Sequence, residues 1–220
     1  MLDWSEIDTV LLDMDGTLLD LHYDNHFWLQ HVPQRYAEKH GLPFAEARQD
    51  LLARYNQIAG TMQWYCVDYW TAELGMDIAH LKQELAHLIA VHPDVPQFLE
   101  QLHAVGKRVV LVTNAHHKSL SIKMAETGLG VHFDAIISAH EFGLPKEDAR
   151  FWAQLQTREP FDKARTLFID DSLPVLHSAR GYGIAHLLAI YQPDSKQPRK
   201  DVEEFSAIER FAQIMPGSEN

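Results

Sequence analysis

Asp13-Met14-Asp15-Gly16-Thr17 follows a short apolar run at 9–12 and sets two carboxylates two residues apart just ahead of a glycine. In a parallel α/β sheet, ligands sit beyond the carboxyl ends of the strands, so both acids would project where a substrate binds. Gly16 lets the chain leave the strand sharply. Asp and Gly after a strand are also ordinary turn formers, and the pentapeptide alone divides evenly between chemistry and turn. Other strand ends break the tie. The run 108–112 delivers Thr113-Asn114, the run 166–169 delivers Asp170-Asp171-Ser172, and Lys146 stands in Leu144-Pro145-Lys146-Glu147-Asp148 after a third run at 135–137. Surface turns require no such convergence of hydroxyl, amide, ammonium and carboxylate. Carboxylates gathered this way repel unless a cation neutralises them, and an all-oxygen set with room for a phosphate suits Mg²⁺.

The elements that must position these groups follow from hydrophobic period. Strand-like runs at 9–12, 108–112, 135–137, 166–169 and 184–189 mostly alternate with helical segments, the pattern of a parallel sheet covered by helices. The stretch 118–128 is long enough for a crossover helix ending on Gly128, and Val95, Phe98, Leu99, Leu102 and Val105 mark another that ends at Gly106. Between the first and second runs the chain is far longer than the roughly ten to twelve residues a crossover needs. Phe44, Leu51, Tyr55 and Ile58 mark one helical face there, and Leu81, Leu85, Leu88 and Ile89 another. Residues 26–90 are therefore expected to form a helical cap on a core made of 1–25 and 91–220. Ser206-Ala207-Ile208-Glu209 reads as a capping box that opens a short terminal helix with Ile208 and Phe211 inward.

Composition narrows the function classes. The 220 residues carry 31 acidic and 19 basic side chains, a net charge of −12, which argues against a nucleic-acid polymer as partner. It does not exclude a phosphorylated small molecule, because a bound cation reverses the sign of a site locally. One cysteine, Cys66, cannot form an internal disulfide and reads as a small core residue; with no basic-then-apolar leader and no apolar run of about 18 residues, a cytoplasmic protein away from membranes is expected. The 14 histidines include no His-Glu-x-x-His spacing, and His116-His117 reads as a helix entry as readily as a phosphate contact. Oligomeric state is not written in the sequence.

Asp13-Met14-Asp15-Gly16-Thr17, Thr113 after Val109-Val110-Leu111-Val112, Lys146, and Asp170-Asp171 after Leu167-Phe168-Ile169 resemble, in order and spacing, the four motifs of the haloacid dehalogenase superfamily. The resemblance implies a Rossmann-like, doubly wound core with a helical cap and a two-step phosphoryl transfer. It makes Asp13 the nucleophile and Asp15 the acid and base. Thr113 and Lys146 then hold the phosphoryl oxygens, and Asp13, Asp15 and Asp170 or Asp171 ligate Mg²⁺. Members that cleave carbon–halogen bonds lack the second aspartate, so Asp15 points to phosphate esters.

A narrower similarity runs through Asp24-Asn25-His26-Phe27-Trp28, Trp64-Tyr65-Cys66, Asp68-Tyr69-Trp70, Thr113-Asn114-Ala115-His116 and Pro145-Lys146-Glu147-Asp148. These resemble the bacterial GMP/IMP nucleotidase subfamily, which implies a purine nucleoside monophosphate as substrate. Leu144 and His22-Tyr23 depart from its pattern and put the substrate preference in doubt. Asp24, Asn25, His26, Trp64 and Asn114 are the candidates for holding the nucleotide, although helical spacing equally lets the cap aromatics fill the bundle's interior. Two other readings stand beside this one: a phosphatase or mutase for a sugar phosphate or phosphoglycolate, and a catalytically silent binding protein on the same fold.

Overall fold

The computed structural model describes residues 2–217. Six parallel strands form one sheet in the order β3-β2-β1-β4-β5-β6: β1 (Thr9–Leu12), β2 (Arg108–Thr113), β3 (Ala135–Ser138), β4 (Thr166–Asp170), β5 (His186–Ile190) and β6 (Ala207–Ile208). The near-continuous apolar strands are explained by burial on both faces. Val10, Leu12, Val109, Leu111, Leu167 and Ile169 enter one hydrophobic cluster, while Leu11, Val110, Val112 and Phe168 enter another on the opposite side.

Between β1 and β2 lies a helical insertion. It begins with α1 (His22–His26), ahead of the start expected at residue 26, widens to a π turn at Phe27–His31 and continues as α2 (Val32–His40). There follow α3 (Phe44–Ile58), α4 (Met62–Tyr65), α5 (Val67–Leu74) and α6 (Ile78–Glu84). These helices bury a core of their own around Phe27, Leu51, Tyr55, Trp70 and Ile78. Returning to the sheet, the chain forms α7 (Val95–Ala104), α8 (His117–Thr127), α9 (Ala149–Arg158) and α10 (Leu173–Tyr182) around the strands. Val95, Phe98, Leu99 and Leu102 are fully buried as their period requires, whereas Val105 caps α7 and is 42% exposed.

Four local expectations are corrected. Phe44 opens α3 and is exposed, and Ala47 one turn later takes the buried place. The face predicted through Leu81, Leu85, Leu88 and Ile89 is interrupted: α6 stops at Glu84, a 3-10 turn follows at Ala86–Leu88, and Ile89 packs against the sheet's cluster. The fifth strand starts at His186 because Gly183 and Ile184 donate back to Ala179 and close α10. The terminal capping box does not form. The Ser206 carbonyl accepts from Ala189 N–H, so the backbone joins the sheet as β6, and the chain then forms a 3-10 turn at Phe211–Ile214 that sets Phe211 against Phe98, the rings tilted at 41°. Ile208 and Phe211 are inward, as expected.

Gly16 controls the exit from β1. Its φ is +87°, and a Cβ there would lie 2.8 Å from Asp171 Cγ. Gly16→Ala is expected to lower stability by about 1–2 kcal/mol, the cost of a side chain in the left-handed region, and to displace the Asp171 carboxylate. Chemical denaturation of the two proteins measures the first effect; an unchanged midpoint contradicts it.

Candidate active site

The parallel topology makes β2, β1 and β4 neighbours, so Thr113, Asp13 and Asp170 emerge side by side. Asp13 remains tied to the sheet, its N–H donating to the Ile169 carbonyl at 3.0 Å. Lys146 enters from the loop after β3. Its Nζ donates to Asp13 Oδ1 at 2.5 Å, Asp170 Oδ2 at 2.7 Å and the Val112 carbonyl at 3.1 Å, which uses all three protons. Asn114 fixes that loop by accepting from Lys146 N–H at 2.9 Å through Oδ1. Its Nδ2 donates to Glu147 Oε2 at 2.9 Å, and Glu147 Oε1 accepts from Tyr65 O–H at 2.5 Å. Thr113 Oγ1 accepts from the Ala115 N–H at 3.0 Å and keeps its own hydrogen to donate.

Asp13, Asp170 and Asp171 each offer one oxygen to a common point, these atoms lying within 4.8 Å of one another. Asp13 Oδ2 is buried without a hydrogen-bond partner. An orphaned oxygen within an all-oxygen set is the donor chemistry of a hard divalent cation. Asp170 is less free to join, since Oδ1 accepts from Ser172 N–H at 2.7 Å and Oδ2 holds Lys146. Asp171 has its Oδ2 3.5 Å from Lys200 Nζ, while that ammonium also donates to the Asp171 carbonyl. The carboxylate of Asp15 lies outside the three-acid cluster.

Asp15 belongs instead to a second chain of charge. Lys123 on α8 donates to Asp15 Oδ1 and to Asp24 Oδ2, both at 2.6 Å, and Lys82 on α6 donates to Asp24 Oδ1 at 3.0 Å. Lys82 also rests 4.4 Å from the centre of the Phe27 ring. The network therefore runs from the β1 loop through α8 and α1 into the insertion. Burial pushes Asp13, Asp15, Asp170 and Asp171 up to about 6, against the pull of Lys146 on Asp13 and Asp170 and of Lys123 on Asp15. Burial acts on Asp24 too, but Lys123 and Lys82 override it and hold that carboxyl at about 2.

A cavity of about 320 Å³, within the small-ligand range of roughly 300–1,000 Å³, opens between core and insertion. Asp13, Asp15, Asp24, Asn25, Trp64, Thr113, Asn114, Lys146, Asp170 and Asp171 all line it, so the residues singled out in the sequence, His26 excepted, are brought to one place. Their freedom differs. Both oxygens of Asp24 are held by lysines, both ends of the Asn114 amide are engaged, and Asn25 Nδ2 donates to Asp194 Oδ2 at 2.7 Å. His26 is not on the cavity wall and meets His22 instead. Trp64 and Trp28 form the apolar wall, with centroids 5.8 Å apart, backed by Tyr55 and Trp70.

Lys82, Lys123 and Glu147 were not singled out in the sequence. The signal lay in helical phase: Lys82 follows Ile78 by four residues and Lys123 follows Leu120 by three, so each ammonium stands on a buried face. Lysine in that position is rare unless paired.

The sequence matches the haloacid dehalogenase-like hydrolase model over residues 7–183. It is 40% identical to the GMP/IMP nucleotidase YrfG of Escherichia coli, an alignment that covers 97% of this chain and 96% of that protein. A haloacid dehalogenase superfamily phosphatase of Thermococcus onnurineus superimposes with a TM-score of 0.80 at 21% identity, over 94% of this chain and 96% of the other. The magnesium-bound hydrolase YfnB of Bacillus subtilis shares the fold at a TM-score of 0.64 and 20% identity, over 94% and 96%. The chain belongs to the haloacid dehalogenase-like hydrolases.

Two predictions follow from the charges. Lys123→Met leaves Asp15 and Asp24 without their shared cation and is expected to cost roughly 3–5 kcal/mol, measured by denaturant unfolding at neutral pH. A loss under about 1 kcal/mol contradicts the network's role. The second concerns pH in metal-free protein. Asp171 has a folded value near 6 above its ordinary 3.8, so its contribution to stability is fully present below the lower value and is lost as pH rises through the upper. Asp171→Asn should therefore stabilise by up to about 3 kcal/mol above about pH 7 and give no gain below about pH 4. A gain independent of pH would show that desolvation of this carboxylate is not the cause.

Proposed function

We propose that this hydrolase is a Mg²⁺-dependent phosphatase of purine nucleoside 5′-monophosphates, GMP and IMP foremost, acting through a phosphoaspartate on Asp13. The single observation that carries the chemistry is the pairing at Asp13: Lys146 holds Oδ1, while Oδ2 is buried and unpartnered at the floor of the cavity. The substrate class rests on the 40% identity to a GMP/IMP nucleotidase along nearly the full chain. A free cysteine and a nucleotide substrate are both at home in the cytoplasm, where we place the protein.

In the first half-reaction, one oxygen of the Asp13 carboxylate bonds to phosphorus as the bond from phosphorus to O5′ breaks, and the other stays available to the cation. Asp15 delivers its proton to O5′, so the nucleoside leaves neutral. Asp15 suits both halves of the cycle: Lys123 anchors Oδ1, and a value near 6 lets the carboxyl give a proton and later take one near neutrality. In the second half, the Asp15 carboxylate accepts a proton from water as the water oxygen attacks phosphorus. The bond from phosphorus to Asp13 breaks and inorganic phosphate leaves. The Thr113 hydroxyl and the Lys146 ammonium face the phosphoryl oxygens throughout. Asp13, the Asp15 carbonyl and Asp171 would hold the cation, Asp170 being engaged twice over. Bound there, Mg²⁺ supplies charge neutralisation for those oxygens.

The sugar and base extend toward the insertion, where Trp64 and Trp28 offer flat apolar faces. Asn25 and Asp24 shape this wall through Asp194 and the two lysines rather than as free hydrogen-bonding groups.

One set of assays tests the reading. Phosphate release from GMP should require Mg²⁺ and fall by at least about 10³-fold in Asp13→Asn, the scale expected when a nucleophile is removed. Release unchanged in that variant refutes the assignment. Trp64→Ala should lower kcat/KM for GMP at least about tenfold, as the loss of one stacked base predicts, and barely affect a small generic phosphate ester. Equal losses on both would remove Trp64 from base recognition.

A further inference from the structure

Beyond the phosphatase reading, a second cluster lies on the seam between insertion and core. Cys66 separates α4 from α5 and accepts from the Tyr69 N–H at 3.4 Å, and its neighbours Tyr65 and Val67 line the cavity. Across the seam stand two histidines of the core: His116 just beyond β2, itself on the cavity wall, and His140 just beyond β3. The Cys66 sulfur and one ring nitrogen from each histidine lie within 4.8 Å of one another. The two rings meet edge to face with centroids 4.9 Å apart. Zinc bonds of about 2.3 Å to sulfur and about 2.0–2.1 Å to nitrogen put tetrahedral ligands about 3.4–3.6 Å apart, so a contraction of roughly 1 Å completes the geometry.

His140 is set up as a ligand. Its Nε2 is buried with no partner. With the ring proton on Nδ1, the Nε2 lone pair is bare for a metal. Metal-bound histidines are commonly oriented in this way, the other ring N–H donating to a backbone carbonyl. Asp68 of the insertion lies 3.7 Å from His116 Nε2 but is held by Lys118 at 2.6 Å and stands outside the three-donor cluster, which leaves a fourth tetrahedral position to water. One soft sulfur with two imidazoles selects a different metal from the all-oxygen set around Asp13.

We propose that Cys66, His116 and His140 form a transition-metal site of the Zn²⁺ type that ties the insertion to the core beside the cavity. Substrate entry and product release from a covered cavity require the two walls to part. A metal bonded to both walls opposes that motion, so occupancy of the site slows turnover.

Co²⁺ is the probe, because a bound thiolate gives a charge-transfer band that carboxylates cannot. Reduced, chelator-treated full-length protein titrated with Co²⁺ in excess Mg²⁺ should develop this band with one equivalent, and Zn²⁺ should bleach it. Cys66→Ser keeps an oxygen to cap α5, and His140→Gln removes the second ligand; both should retain basal phosphatase activity. Each should abolish the band and weaken Zn²⁺ binding at least about tenfold. Zn²⁺ should slow GMP turnover in the parent protein, and Cys66→Ser should escape. Absence of the band at stoichiometric Co²⁺, or its persistence in His140→Gln, overturns the site. Equal inhibition of parent and Cys66→Ser overturns the brake.

Discussion

The Lys146 ammonium is the interaction on which the rest of the structure depends. Adjacent strands place Asp13 and Asp170 a strand spacing apart, about 4.8 Å, and both side chains are almost wholly buried. Two such charges are tolerable only with a cation between them. Lys146 provides it, and the path of the loop after β3 follows from that need: Asn114 grips the Lys146 backbone, Glu147 grips Asn114, and Tyr65 of the insertion grips Glu147. A hydrogen-bonded line thus runs from Asp13 to the opposite wall of the cavity.

Lys123 and Lys82 repeat the device on the other flank. Against a net charge of −12, three lysines are buried at the site, 1–3% exposed, each against aspartate. The protein's acidity is a property of its surface; its catalytic cleft is a lattice of paired charges with one orphaned oxygen. Such a cleft admits an anionic phosphate because cations already stand behind the carboxylates. Since Asp24 and Lys82 belong to the insertion and Asp15 and Lys123 to the core, the same pairs set the position of the insertion and the direction of the Asp15 carboxyl.

How much of this could be read from the sequence depended on how local each signal was. Asp13, Asp15, Thr113, Lys146 and the Asp170-Asp171 pair each follow an apolar run, so strand period and turn chemistry sufficed to find them, and a parallel sheet brings strand ends together. The lysines at 82 and 123 are helical residues whose partners are 58 and 108 positions away, and only the helical phase hints that they are buried. The same distance hid the Cys66–His116–His140 cluster, which has no metal-ligand spacing along the chain. At the tail, Ser206 and Glu209 carried a capping pattern, but β5 offered an open edge and the backbone paired with it. Asp24 and Asn25 were found at the cavity, yet their side chains hold lysines and Asp194.

The central claim is a covalent bond from phosphorus to Asp13, and rapid acid quenching of the enzyme with phosphate-labelled GMP and Mg²⁺ tests it most directly. The account predicts label retained on the protein, base-labile as an acyl phosphate must be, and located by mass spectrometry on the peptide that contains Asp13. Turnover of GMP with the label found on another residue would contradict it.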